Sequence, residues 1–212
     1  MKTLDNREII DITPLISSDI AVFPGDTQFS RKELLSFEKG HNLVLSSIET
    51  TVHLGAHTDA PSHYHKDGQT IEKQSLQTYM GKAQVIEVNA KSGERISLAH
   101  LQNQKIIASR ILFKTNSFPD PNNWNDDFNS LSSEVIDYLN QQKVILIGID
   151  TPSVDPADDK ELISHNKIYD YGLAILEGIV LENVTPGLYD LVALPLPIKG
   201  CDASPVRAIL LK

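Results

Sequence analysis

The segment His53-Leu54-Gly55-Ala56-His57-Thr58-Asp59-Ala60-Pro61-Ser62-His63 constrains this chain more than any other, because four of its seven histidines fall between residues 53 and 65. Thr50, Thr51 and Val52 before it are β-branched, Gly55 disfavours a helix interior, and Pro61 would break one. An extended conformation is therefore expected. In a strand, side chains alternate faces, so positions 53, 57 and 59 project to one side. Two imidazoles and a carboxylate converging on one face make most of a divalent-metal site, and such a set suits zinc, manganese or iron alike. The helical zinc-protease arrangement is excluded, because it requires Glu directly after the first His and Leu54 stands there.

Three ligands on one strand cannot surround an ion, so distant residues must close the site. His165 and Glu177 are the candidates. Glu177 interrupts an otherwise apolar run from Ala174 to Leu181. A buried carboxylate there must be protonated, paired or coordinated, and the alternative is a solvent-facing Glu on an edge strand. The sequence contains no G-x-S-x-G nucleophile turn, no G-x-G-x-x-G and no phosphate-binding loop motif. Cys201 has no motif around it and reads as a small buried residue.

Composition narrows the class further. The 212 residues fit one domain, residues 1–212, with 19 Lys plus Arg against 28 Asp plus Glu and a formal charge of −9. That balance opposes a basic surface for nucleic acid or for anionic membrane, and no apolar run approaches the 18 residues of a membrane span. A lone cysteine and a charged N-terminal stretch lead to the expectation of a cytoplasmic protein without disulfides.

The expected fold class is α/β, a mixed sheet with few helices and many loops. Glu8–Ile12 and Ala83–Val88 alternate as strands, and 107–113 and 144–149 read as buried strands. Ser132-Ser133-Glu134 opens a helix over 135–142, and Ser97 leads a shorter one to Gln104. The Pro-, Asn- and Asp-rich stretch 118–127 is expected to be a surface loop.

With these residues in place, a resemblance can be stated. The His53–His63 segment resembles the H-x-G-x-H-x-D-x-P-x-H signature of the cyclase-like metal-dependent hydrolases. The chain is most similar to their kynurenine formamidase (arylformamidase) branch. The likeness continues through Asp11-Ile12-Thr13-Pro14, Phe23-Pro24-Gly25-Asp26-Thr27, Gly148-Ile149-Asp150-Thr151-Pro152-Ser153 and Ile175-Leu176-Glu177-Gly178. It closes with Leu194-Pro195-Leu196 and Asp202-Ala203-Ser204-Pro205-Val206-Arg207-Ala208.

The resemblance implies a swivelling β/β/α domain and a homodimer. It also implies two divalent ions per subunit, zinc first and manganese second. His53, His57 and Asp59 then map onto one ion, His165 and Glu177 complete the second, and both acids bridge. His63 maps onto the catalytic acid/base, and Phe23 onto a substrate-contacting aromatic that is usually Trp in the family. The implied reaction is hydrolysis of N-formyl-L-kynurenine to formate and L-kynurenine, in tryptophan breakdown by the kynurenine route. Two rival readings remain at this stage: a related cyclic-amide hydrolase of the isatin type, and a metal-binding protein without turnover.

Of the other polar residues, His65 reads as surface or supporting, and His41 and His100 as structural or exposed. Arg207 is expected to pair with Asp202, the alternative being a grip on the substrate carboxylate. Asp150 either supports the site or caps the following turn.

Overall fold

The computed structural model describes residues 7–102 and 104–212. Its strands and helices, in chain order, are β1 (Ile9–Asp11), β2 (Ser30–Leu35), β3 (Leu45–Glu49), β4 (His57–Asp59), β5 (Met80–Glu87), β6 (Arg95–Ile96), β7 (Arg110–Lys114), β8 (Ser130–Leu131), α1 (Ser133–Gln141), β9 (Leu146–Ile149), α2 (Ile163–Asp170), β10 (Ala174–Leu176), β11 (Gly187–Val192), β12 (Ala203–Pro205) and β13 (Ile209–Leu211). The α/β class, with a mixed sheet, few helices and many loops, is the observed one. No helix among the described residues is long and apolar enough to cross a membrane.

Seven strands form one sheet in the order β1-β13-β11-β5-β7-β9-β10. The half from β5 to β10 is parallel, and β11, β13 and β1 join it antiparallel. Parallel neighbours require crossovers, and α1 and α2 occupy two of them. The central strands are apolar on both faces, as a sheet covered on both sides demands. Val85, Leu112, Leu146 and Leu176 point into one core, whereas Ile86, Ile111, Ile147 and Ile175 point into the other. Val135, Ile136 and Leu139 of α1 and Ile168 of α2 seal the second core.

α1 begins where the sequence places it, because Ser132 caps the Val135 backbone N–H. The stretch led by Ser97 is only a short 3-10 turn, Leu98–Leu101. α2 was not anticipated. It starts from Leu162 in a left-handed conformation with no side-chain cap of its own, and Asp155 supplies the acceptors for its first N–H groups.

On the first core, β4 pairs antiparallel with β12, so that Asp59 faces Ala203 and His57 faces Pro205. On its other side, His57 exchanges two backbone hydrogen bonds with Glu177, of 3.0 and 2.9 Å. β4 thus links the end of the main sheet to the C-terminal segment.

Candidate metal centre

β4 is short, and this changes how its side chains converge. Gly55 sits in the left-handed region at φ +55°, so the chain bends between His53 and His57. Convergence of His53, His57 and Asp59 therefore comes from a bend followed by three strand residues, not from one continuous strand. His53 Nδ1 lies 3.0 Å from Asp59 Oδ1, and His57 Nε2 lies 3.5 Å from the same oxygen.

The distant candidates arrive from two other elements. α2 delivers His165, whose Nε2 lies 3.6 Å from Asp59 Oδ2 and 3.8 Å from Glu177 Oε1. Glu177 follows β10 and is 2% exposed, with Oε2 at 3.3 Å from His57 Nε2. The solvent-facing alternative for Glu177 is thereby excluded. Although β10 is the edge of the main sheet, β4 covers its end. Gly178 makes that cover possible: at φ +63°, a Cβ there would stand 2.1 Å from the Gly55 carbonyl oxygen.

Protons are already assigned on the outer side of two rings. His57 Nδ1 donates to the Gly55 carbonyl at 2.9 Å, and His165 Nδ1 donates to Asp155 at 2.8 Å. Each ring therefore turns Nε2 toward Asp59 and Glu177, the orientation that outer hydrogen bonds impose on metal-ligating histidines. Both oxygens of Asp59 are buried without a hydrogen-bond partner. A buried, unsatisfied carboxylate facing ring nitrogens is costly unless a cation or a proton lies between them. Divalent ions fit this donor set, since carboxylates bridge two ions and neutral imidazole binds one. His53, His57 and Asp59 form one such group, Asp59, His165 and Glu177 a second, and His53, His63 and Asp202 a third, more exposed one.

Without a cation, protons take up that role. Burial alone would lower the His165 imidazolium, but Asp155, Asp59 and Glu177 outweigh it and raise it to about 10. Burial likewise opposes charge on His53, and Asp59 and Asp202 raise it to about 9. Asp59 would rise on burial, yet His165 and His53 hold it well below the usual carboxylate range.

His63 lies beyond the cluster, in the 3-10 turn Pro61–His63, with its ring centroid 4.1 Å from that of His53. Sequence reasoning missed its partner. Asp202 Oδ2 lies 3.2 Å from His63 Nδ1 and 3.0 Å from His53 Nε2. Asp202 arrives because its carbonyl accepts from the Ala60 N–H at 2.7 Å, one step before the β4–β12 register begins. Arg207, expected to pair with Asp202, instead donates to Asp11 through Nε at 2.9 Å. Asp202 is engaged instead by the two histidines.

Asp150 caps the turn after β7, accepting from the Thr115 and Asn116 N–H groups, and burial raises its pKa. His65 stacks on Tyr169 at 3.7 Å, outside the cluster. His41 and His100 serve local turns, at Ser36 and Ser97 respectively.

The cluster floors a cavity of about 530 Å³, within the usual range for small-molecule sites. Phe23, 39% exposed, also lines it. Such a site, with paired acids shared among imidazoles below an apolar-walled pocket, is that of a hydrolase working on a small molecule.

Comparison with known proteins gives the same class. Residues 10–156 match the family described as "Putative cyclase". The chain is 37% identical over 211 residues to a protein named kynurenine formamidase from Bacillus cereus (strain ZK / E33L), covering 99% of each. It superposes with a TM-score of 0.82 on a solved structure titled as a potential metal-dependent hydrolase with cyclase activity, at 25% identity, covering 97% of this chain and 98% of the other. Isatin hydrolase A from Labrenzia aggregata shares the fold, with a TM-score of 0.82 at 20% identity over 97% of this chain and 93% of that one. The chain belongs to the cyclase family of metal-dependent hydrolases, in its kynurenine formamidase branch.

Proposed function

We propose that this protein hydrolyses N-formyl-L-kynurenine to formate and L-kynurenine with two divalent cations. His53, His57 and Asp59 would hold one, and Asp59, His165 and Glu177 the other. The observation that carries this reading is Asp59: a buried carboxylate with neither oxygen hydrogen-bonded, ringed by the nitrogens of three histidines. Zinc is the first choice of ion and manganese the second, because imidazole and carboxylate donors suit both. Bound there, such cations polarise a carbonyl and lower the pKa of water to about 7.

The chain's own residues account for the remaining chemistry. The oxygen of water adds to the formyl carbon, and the bond from that carbon to the aryl nitrogen breaks. His63 carries the proton between them: it takes one from the attacking water at Nε2 and returns it to the departing amine. Asp202, by accepting from Nδ1, keeps Nε2 as the atom that faces the reaction. Phe23 meets the substrate's apolar side, and the buried floor keeps bulk water from the ionic cluster.

A homodimer in the cytoplasm, serving tryptophan breakdown, completes the reading. The β2–β3 hairpin supports the dimer. It stands apart from the main sheet, Ile48 is 66% exposed, and Phe37 between its strands is 67% exposed. An isolated hairpin is marginal in water, and a second copy would cover these side chains. Cys201, a free thiol, suits a reducing compartment.

The deciding experiment is formate release from N-formyl-L-kynurenine by the purified protein, with isatin assayed beside it. Turnover of the formamide well above that of isatin is the expected result. Isatin opening without formate release would transfer the assignment to the cyclic-amide hydrolases.

A further inference from the structure

The lining of the cavity contains a residue that nothing so far has used. Trp124, the only tryptophan of the chain, lines the cavity together with Phe23. The two rings meet edge to face, with centroids 5.1 Å apart and planes at 71°. Phe118 and Phe128 each pack edge-on against the indole at 5.9 Å, so the ring is held by aromatic neighbours as well as by its own loop. The indole N–H donates to Asp126 at 2.7 Å. Its one polar atom is thereby satisfied, and what remains to face a ligand is apolar ring.

The loop itself is anchored. The Pro121 carbonyl accepts from the Ala21 N–H at 2.9 Å, two residues from Phe23, and the Asp127 carbonyl accepts from the Gly93 N–H at 2.6 Å. A wall fixed in this way costs little ordering entropy when a flat ring packs on it.

We propose that Trp124 is a specificity-determining residue, receiving the substrate's aryl ring beside Phe23 and giving aryl formamides their advantage over alkyl ones. This rests on the hydrolytic reading above and adds to it the feature of the substrate that is recognised. The formyl group then goes to the ionic cluster and the ring to the indole, both of which line the same cavity. Ring–ring packing contributes beyond the area it buries, and an alkyl formamide has no surface to place there.

The lone tryptophan makes the test direct. L-Kynurenine added to the protein, with or without chelated metal, should quench Trp124 fluorescence, whereas L-alanine, which keeps the amino-acid end without the ring, should not. Trp124→Ala should raise KM for N-formyl-L-kynurenine about tenfold with kcat within about twofold, and Trp124→Phe should restore most of the loss. If the alanine variant does not fold, Trp124→Leu takes its place in the comparison with Trp124→Phe. An unchanged KM in the folded alanine or leucine variant overturns the proposal. So does competitive inhibition by L-kynurenine that leaves the emission unaltered. Absence of formate release by the wild-type protein would instead sink the formamidase reading, while the emission titration still decides the role of Trp124.

Discussion

Asp155 and His165 are joined twice: one carboxylate oxygen accepts from the ring Nδ1 at 2.8 Å and from the backbone N–H at 3.0 Å. The other oxygen accepts from Arg95 at 2.8 Å and from the Ser164 N–H at 2.9 Å. Asp155 thus starts α2 and aims its histidine in a single act. Burial would raise the Asp155 carboxyl, but these donors, His165 first, hold it far below the usual range.

Removing that carboxylate should therefore affect the ions before the chemistry. Asp155→Ala is expected to weaken binding of the second ion by about 10- to 100-fold, the usual effect of losing a hydrogen-bond partner behind a metal-ligating histidine. It should also cost about 1–3 kcal/mol of stability, because the buried Ser164 and His165 N–H groups lose their acceptor while Arg95 keeps Asp159. Metal titration and thermal denaturation of the variant measure the two effects separately.

His63 and Asp202 should separate turnover from metal content. His63→Ala is expected to lower kcat by about 10²- to 10⁴-fold while the bound metal stays at the wild-type level. Asp202→Asn should give a smaller loss of turnover, since His63 remains but its tautomer is no longer enforced. Metal analysis of His63→Ala is the check: loss of an ion would make His63 a ligand.

The pH dependence has a definite sign. In the cation-free protein, His53 is raised to about 9 and His165 to about 10 from an ordinary value of 6.5. Groups raised in the folded state stabilise it fully below 6.5, and this contribution is lost as pH climbs through 9 and 10. Chelated protein should therefore lose thermal stability between these limits. Because a cation must displace the same protons, its affinity should rise over that range, with about two protons released per chain at neutral pH. Calorimetric metal titrations in buffers of different ionisation enthalpy count those protons.

Gly178 tests the backbone that carries the centre. Its positive φ and its approach to the Gly55 carbonyl leave no room for a side chain. Gly178→Ala should destabilise the protein by roughly 3 kcal/mol or more and displace Glu177 from His57. Denaturation and metal affinity should fall together. A variant of wild-type stability would contradict the close packing of these two loops.

How much of this was legible in the sequence depends on how local the cause is. α1 could be read because its cap, Ser132, and its buried residues Val135, Ile136 and Leu139 lie within one short window. β7 and β9 could be read because burial on both faces makes their central residues apolar, whereas β5, read as alternating, is buried at every position from Ala83 to Ile86. The candidate ligands were accessible from residue type and spacing, and the structure gathers all five. The route to convergence was misread, because a strand period was extended across Gly55, where the backbone turns.

α2 escaped notice because its start is fixed by Asp155, which lies nine residues before the first N–H it accepts from. Asp202 and Trp124 escaped for the same reason. One is brought to His63 by the register of β12 on β4, and the other is brought to Phe23 by a loop that looked like solvent-facing linker. Contacts made across the fold leave no periodicity to read.

The most direct measurement is formate release from N-formyl-L-kynurenine by chelated protein as Zn²⁺ or Mn²⁺ is added back in known amounts. Activity should be absent at the start, rise with each addition and level off at two ions per chain. Full activity in the chelated protein, or saturation at a single ion, would contradict the shared-carboxylate centre built on Asp59 and Glu177.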